Sequence, residues 1–250
     1  MDAEEALARV RALGFADDDA RRLVAHFADA EARGKTSHGF SRVEWLETLD
    51  LVPGARPEQI EAGPGFQRWH SRGAVGYLVL DAVVRAQLDD PPEAARVVVC
   101  EDTFPTGMLG GWVRRLAGGG LVAALTATSP PRLSHPDGGP PLIGTTPLAI
   151  AIPSSAGNPI VTDVSMGRVT HGDVLAGLAS PEELVPFGGD QAYKAFALGL
   201  GLQLLVQALL RDGAARGAVL IVGRPESDPV PALRTAGAGV RLPGDGSPGH

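Results

Sequence analysis

Lysine and cysteine are both scarce in this 250-residue chain. Lys35 and Lys194 are the only lysines among 22 basic residues, and Cys100 is the single cysteine. A lone cysteine closes no internal disulfide, so the composition suits a reducing, cytoplasmic setting. The arginine skew, beside abundant alanine and glycine, reads as a GC-rich genome rather than as function. Positive charge is short overall, 22 Lys+Arg against 29 Asp+Glu for a net charge of −7. With no basic stripe, a nucleic-acid footprint is excluded. Neither Cys100 nor the six scattered histidines have zinc-ligand spacing, so no metal is expected. There is no P-loop and no Gly-x-Gly-x-x-Gly between a strand and a helix. Gly118-Gly119-Gly120 precedes a strand-like run and reads as a turn, which leaves a Rossmann nicotinamide site unsupported. The acidic start, Met1-Asp2-Ala3-Glu4-Glu5, has no signal-peptide apolar stretch behind it. The most apolar run, 193–210, carries Lys194, Gln203 and Gln207, and a buried core helix explains it better than a membrane span.

What is present suffices for a real core: 44% hydrophobic residues and only 20% charged ones, unlike a disordered chain. Ala6, Leu7, Val10 and Leu13 lie at helical spacing before Gly14. Asp17 or Asp18 caps a second helix with Ala20, Leu23, Val24 and Phe27 on one stripe. Further helices are predicted over 43–49, 73–88, 108–117 and 192–211, and strands over 97–100, 121–127, 147–152, 159–164 and 218–222. Pro53, Gly54, Pro57, Gly63, Pro64 and Gly65 mark a long connection. A second loop covers 128–144, and the Gly- and Pro-rich tail, 240–250, reads as loose. The fold class is mixed α/β (α+β), and its strands and helices do not alternate as a doubly wound sheet requires. Three segments follow: a helical N-terminal lobe, 1–72; a central α/β lobe, 73–190; and a C-terminal helix, strand and tail, 191–250.

Ser37-His38-Gly39 is the chemically suggestive spot. A histidine in a glycine-flanked turn beyond a helix end can face a cleft and titrate near neutrality. Arg42, one helical turn on, could clamp a carboxylate with two parallel hydrogen bonds. On spacing alone, a capping or surface role is the commoner reading of such a histidine, and no catalytic role is assigned to it.

The longer run Gly34-Lys35-Thr36-Ser37-His38-Gly39-Phe40-Ser41-Arg42 resembles the G-x-x-S-H-G-x-x-R signature of the malate/L-lactate dehydrogenase family. Further blocks agree in order. Gly144-Thr145-Thr146-Pro147-Leu148-Ala149-Ile150-Ala151-Ile152-Pro153 resembles G-T-N-P-L-A-x-A-x-P, and Pro159-Ile160-Val161-Thr162-Asp163 resembles the family's strand ending in Asp. Tyr193-Lys194-Ala195 and Arg241-Leu242-Pro243-Gly244 resemble Y/H-K-G and R-x-P-G. The resemblance implies a non-Rossmann fold with a mostly antiparallel cofactor lobe, a homodimer, and NADH or NADPH as cofactor. It implies reduction of a small 2-oxo acid or cyclic 2-imino acid. Carried over by motif, His38 donates the proton with Ser37 and Asp163 completing its relay, and Arg42 holds the substrate carboxylate. Cofactor contacts fall on Gly107, Met108 and Leu109, on Pro153, Ser154 and Ser155, on Gly188 and Gly189, and on Lys194, Arg241 and Gly244.

The departures are specific. Pro105-Thr106-Gly107 stands where the family has His-Phe-Gly, Thr146 where it has Asn, and Ala195 where it has Gly. Thr146 and His135 are expected at the substrate, His135 partly replacing the missing histidine. The chain is shorter than family members between Asp163 and Gly188 and again after the long helix. The alternative is therefore a relative that keeps the fold without hydride transfer, using His38 as a non-redox acid/base or serving as a binding protein.

Overall fold

The computed structural model describes residues 1–246. Helices α1 (Ala3–Ala12) and α2 (Asp17–Ala32) open the chain. Asp2 caps α1, its carboxylate accepting the Glu4 and Glu5 amides at 3.0 and 2.9 Å. Gly14 then turns the chain at φ +94°, a conformation that favours glycine. The α2 cap is Ala16 rather than Asp17 or Asp18. Those two and Asp19 occupy the first turn, where carboxylates complement the positive helix end. The expected stripe of Ala20, Leu23, Val24 and Phe27 is buried. A 3-10 turn at Thr36–His38 leads into α3 (Ser41–Leu46).

The predicted long connection is partly ordered as sheet: β1 (Glu58–Ala62) and β2 (Phe66–His70) pair antiparallel inside it. After them come α4 (Gly76–Asp89), β3 (Ala95–Glu101), α5 (Leu109–Gly118), β4 (Val122–Ala127), β5 (Leu148–Ile152) and β6 (Ile160–Val164). The remaining elements are α6 (His171–Leu175), α7 (Ala192–Leu209), β7 (Gly217–Gly223) and α8 (Val230–Ala236). Helices as short as α6 and α8 carry too few turns to show a period, and the sequence does not predict them.

The strands form one sheet in the order β1-β2-β3-β7-β4-β5-β6. Only β2 and β3 run parallel; the other neighbours are antiparallel. The last strand in sequence thus lies mid-sheet, and all three segments contribute to one framework. Strand alternation sorts the two faces. Val98 and Cys100 of β3, with Ala218, Leu220 and Val222 of β7, belong to the main core with Phe27, Tyr77, Trp112 and Leu116. Val99 and Val219 face the other way, onto Val206 of α7. Burial pushes the Cys100 thiol up to about 12, so it stays un-ionised and inert.

Two expectations need correction. The α7 helix is not buried all round. Ala195, Phe196, Gly199, Gln203 and Val206 are covered, while Tyr193, Leu198, Leu204 and Leu205 lie about half exposed. Length and apolarity alone would let such a helix cross a membrane, yet its covered stripe packs on protein. The tail is held where it is described: the Val161 amide donates to the Pro243 carbonyl at 3.1 Å, and Arg234 pairs with Asp245 at 2.8 Å. The rest of the expected loose tail, 247–250, lies outside the described residues.

Candidate active site

Two cavities meet where α2, the His38 turn, the start of α5 and the end of β6 converge. The first, about 460 Å³, is lined by His38, Arg42, Trp45, Tyr77, Met108 and Asp163 among others. The second, about 350 Å³, is lined by Arg33, Lys35, Arg114, Arg241 and Gly244. Lys35, Met108, Asp163 and Val164 line both and form the partition.

His38 is not the exposed, near-neutral histidine that its flanking glycine suggests. Its Nδ1 is buried and makes no hydrogen bond within the protein. Burial, then the Arg42 charge, holds its pKa below the ordinary value, with Ser37 and Asp173 pulling the other way. The ring is therefore neutral at pH 7 in the free protein. Arg42 is buried too. Its Nε donates to the Ser37 carbonyl at 2.6 Å, and its guanidinium lies over Trp45 at 5.3 Å. One edge of the guanidinium is thus engaged within the protein, and its Nη2 packs against Gly172 of the cavity wall.

The partition is built with little tolerance. Phe104–Pro105 is a cis peptide, and Gly107 follows at φ +68°, where a Cβ would run into His26 and Tyr77. The Met108 amide donates to His26 Nε2 at 3.2 Å, and the His26 ring stacks on Trp112 at 4.2 Å and 9°. Burial drives His26 down to about 3, so it remains a neutral acceptor. Asp163 accepts the Gly110 amide at 2.7 Å. Burial raises its pKa, opposed by that hydrogen bond and by Lys35 and Arg114.

Of the residues singled out from sequence, Ser37, His38, Arg42, Gly107, Met108, Leu109 and Asp163 converge on the first cavity, and Met108, Arg241 and Gly244 on the second. Within the first, Asp173 accepts the Thr170 amide and hydroxyl at the start of α6, while Asp163 turns to Gly110. The others lie elsewhere. His135 packs edge-on against Phe196 at 5.1 Å and accepts the Asp137 amide at 3.1 Å, away from the cavity. Thr146 is fully buried at φ +32°, its hydroxyl donating to the Gly144 carbonyl, and its neighbours Thr145 and Pro147 line the cavity instead. Ser155 uses its amide and hydroxyl on Asp228 at 2.7 and 2.8 Å, so Pro153, Ser154 and Ser155 line neither cavity. Gly188 and Gly189 belong to the turn into α7, and Lys194 lies over Tyr193 at 5.8 Å.

Sequence reasoning missed Arg132, His171 and Asp173 in the first cavity and Arg33 and Arg114 in the second. The spacing Thr170-x-x-Asp173 is a capping-box signal that could have revealed α6. Nothing in sequence reveals that α6 meets the His38 turn. Among the described residues no group of three or more His, Cys, Asp or Glu is placed to hold a metal.

A sequence model of the family described as malate/L-lactate dehydrogenase matches residues 3–183. The chain belongs to the malate/L-lactate dehydrogenase family. Within it, the chain is 29% identical over 175 residues to (2R)-3-sulfolactate dehydrogenase (NADP(+)) of Chromohalobacter salexigens, covering 68% of this chain and 52% of that one. It is 29% identical over 227 residues to Δ1-pyrroline-2-carboxylate/Δ1-piperideine-2-carboxylate reductase of Pseudomonas putida, covering 78% and 65%. The chain thus spans between about half and two thirds of the length of these curated relatives. Among solved structures, Δ1-piperideine-2-carboxylate reductase from Pseudomonas syringae superposes with a TM-score of 0.82 at 22% identity, covering 97% of this chain and 89% of its own. A dehydrogenase from Sinorhizobium meliloti gives 0.79 at 24%, covering 98% and 88%. These superpositions establish the family's non-Rossmann fold for nearly the whole chain, including β7 beyond residue 183.

Proposed function

We propose that this malate/L-lactate dehydrogenase family member is an NAD(P)H-dependent reductase of a small 2-oxo acid or cyclic 2-imino acid. The observation that carries this reading is the junction of the two cavities. A half-buried imidazole whose Nδ1 has no hydrogen-bond partner stands beside a guanidinium in one, and the other, across Asp163 and Met108, gathers Arg33, Lys35, Arg114 and Arg241. The relatives' activities, printed in their names as dehydrogenase and reductase, support it.

The second cavity fits a phosphorylated cofactor. Arg33, Lys35, Arg114 and Arg241 converge there although the chain carries a net −7. Arg114 Nε is buried without a hydrogen-bond partner. Gly244, at φ +98°, approaches the Pro159 carbonyl and Val161 amide too closely for any Cβ. Glycine there lets the tail lie against the β6 backbone at the cavity's edge. Arg33, Lys35, Arg114 and Arg241 would hold the phosphates, with Gly107 and Met108 nearest the first cavity. When bound, a reduced nicotinamide supplies a hydride.

The chain's own residues do the rest. The Arg42 Nη edge binds the substrate carboxylate, which cancels the positive charge that disfavours a protonated His38. Arg132 adds positive charge to the same cavity, while burial and the neighbouring arginines hold His171 toward its neutral form. His38 then holds a proton beside the oxygen or nitrogen that gains negative charge as its carbon is reduced, and gives it up there. Tyr77, pushed up to about 12 by burial, keeps its hydroxyl protonated in the same wall. Met108 and Trp45 exclude water from the reacting centre. The half-exposed face of α7, with Ile150 and Ile221 bare on the sheet, is the surface a homodimer would cover.

Titration with NADH and NADPH, followed by nicotinamide fluorescence and Tm together, tests the reading. Micromolar binding of either raises Tm by mass action and supports it. No binding of either at millimolar concentration overturns it and leaves His38 as a cofactor-free acid/base or the chain as a binding protein.

A further inference from the structure

Arg132 and Arg216 differ from the arginines around them. Arg9, Arg68, Arg85 and Arg115 each meet a carboxylate at 2.6–2.8 Å. Among the described residues, neither Arg132 nor Arg216 makes an ion pair or a side-chain hydrogen bond, in a chain that carries more acid than base. Burial, then the Arg216 charge, works against a charged Arg132, and no carboxylate offsets either. Arginine stays protonated all the same, so the two form a like-charge pair without a counterion.

The fold holds both in place. The Arg132 amide donates to the Ile143 carbonyl at 2.7 Å, and Leu133 bridges Ile143 with both side chains fully buried against Met166 and Phe196. With Leu133 turned into that cluster, alternation turns Arg132 the other way, into the wall of the first cavity. Arg216 precedes β7 beside the start of the same loop, where Gly217 accepts the Thr128 amide at 2.9 Å and donates to its hydroxyl at 3.0 Å. The Arg216 guanidinium lies over Phe104 at 5.2 Å, Phe104 meets Trp45 edge-on at 6.1 Å, and Trp45 carries Arg42 at 5.3 Å. Two aromatic rings of the cavity wall are thus flanked by a guanidinium at each end. His171 senses both Arg132 and Arg42, whereas the charge that Arg132 feels is Arg216 and not Arg42. Positive charge therefore sits at two separate places in one cavity of about 460 Å³, room enough for a small substrate to reach from one to the other.

We propose that Arg132, backed by Arg216, is a second anion subsite, so that the substrate is a 2-oxo acid carrying a second anionic group, a carboxylate or sulfonate, at the end away from the carbon that is reduced. Arg42 takes the carboxylate beside that carbon, the second anion neutralises the Arg132–Arg216 pair, and the chain between them lies along Trp45 and Phe104. A cyclic imino acid without a second charge would leave the pair unrelieved. The assignment rests on the reading of the chain as a reductase with Arg42 as its carboxylate clamp.

The test is binding of non-reducible acids to the full chain without cofactor, read by tryptophan fluorescence and Tm. Succinate and glutarate are compared with butyrate and pentanoate, which match them in length, in the native protein, Arg132→Gln and Arg132→Lys. The dicarboxylates should bind about tenfold more tightly, the scale of one charge-assisted hydrogen bond. Arg132→Gln should erase that difference by weakening the dicarboxylates, and Arg132→Lys should keep part of it. The ligand-free Tm of Arg132→Gln should not fall, because the side chain holds nothing within the protein and its removal relieves Arg216; a merely structural role would lower it. Equal affinity for the two classes in the native protein overturns the proposal, as does an equal loss of both in Arg132→Gln. Loss of NADPH binding in place of dicarboxylate binding also overturns it and assigns the arginines to the cofactor. Turnover separates the two claims. Reduction of pyruvate and 2-oxobutyrate with the same kcat/KM as oxaloacetate and 2-oxoglutarate refutes the subsite and leaves the reductase standing. Preference for dicarboxylates without binding of either nicotinamide keeps the subsite and refutes the reductase.

Discussion

The two cavities share one wall and differ in kind. The first mixes charge signs and half-buried acid/base groups around the buried Arg42: His38, Asp163, Asp173 and His171. The second is mainly basic, with Arg33, Lys35, Arg114 and Arg241 against Asp163 and Asp245. Mixed, partly unsatisfied groups are what proton transfer needs, because their charge states change with what binds beside them. A concentration of fixed cations is what holding phosphates needs, because arginine charge does not change. On the proposed function, chemistry and recognition are separated by a single layer, Met108 and Asp163, held from behind by His26.

The largest effect should come from the first cavity. His38→Ala should lower kcat by ~10²–10⁴ with an unchanged Tm; steady-state rates and a thermal melt check both. An unaltered kcat would erase the distinction between the cavities. Next comes the support of the partition. The depressed pKa of His26 means that folding favours its neutral form. Its contribution to stability is full above pH 6.5 and is lost as pH falls toward about 3. Denaturant titrations should show stability falling there by up to about 1.4 kcal/mol per pH unit, and His26→Phe should flatten that slope. A slope unchanged by the substitution would mean that another group governs the acid limb.

A smaller effect is expected in the second cavity. Arg114→Gln should weaken nicotinamide-nucleotide binding by about tenfold, the scale of one charge-assisted hydrogen bond, and spare kcat. Asp29 keeps Arg33 as its partner at 2.9 Å, so the fold should tolerate the change. Equal losses in affinity and kcat would show that the cavities do not divide labour. The smallest effect should be Arg42→Lys, raising KM several-fold because lysine lacks the planar two-point contact. Since Arg42 Nε also holds the Ser37 carbonyl, a modest fall in kcat should accompany it.

Much of the candidate site was legible because it is local in sequence. Ser37, His38 and Arg42 fall within six positions, and a turn followed by a helix brings them together whatever the rest does. Gly107-Met108-Leu109 was legible for the same reason, as a glycine turn opening α5. His135 and Thr146 were misplaced because both sit on an irregular stretch, where one residue more or less rotates a side chain from cavity to core. Thr145 and Pro147 line the wall that Thr146 turns away from. His26 was not singled out from sequence, since its role requires knowing that Gly107 and Met108 pack behind it. β1 and β2 escaped because strands of five residues among prolines and glycines carry no long alternation.

By itself, the sequence determined the local order: the helix periods of α2, α4 and α5, the apolar runs of β3, β4 and β7, and the motif that makes the His38 turn. It also determined the family, through blocks kept in order along the chain. The tertiary structure decided what lies next to what. It inserted β7 between β3 and β4, brought Arg241 and Gly244 beside Arg33 and Lys35 across some two hundred residues, and pressed Gly172 of α6 against the Ser37–His38 turn. The physical reason is range. Dihedral preference and side-chain period act over a few residues. The partners of a buried charge are chosen by packing and desolvation among segments whose separation along the chain carries no information about their distance in space.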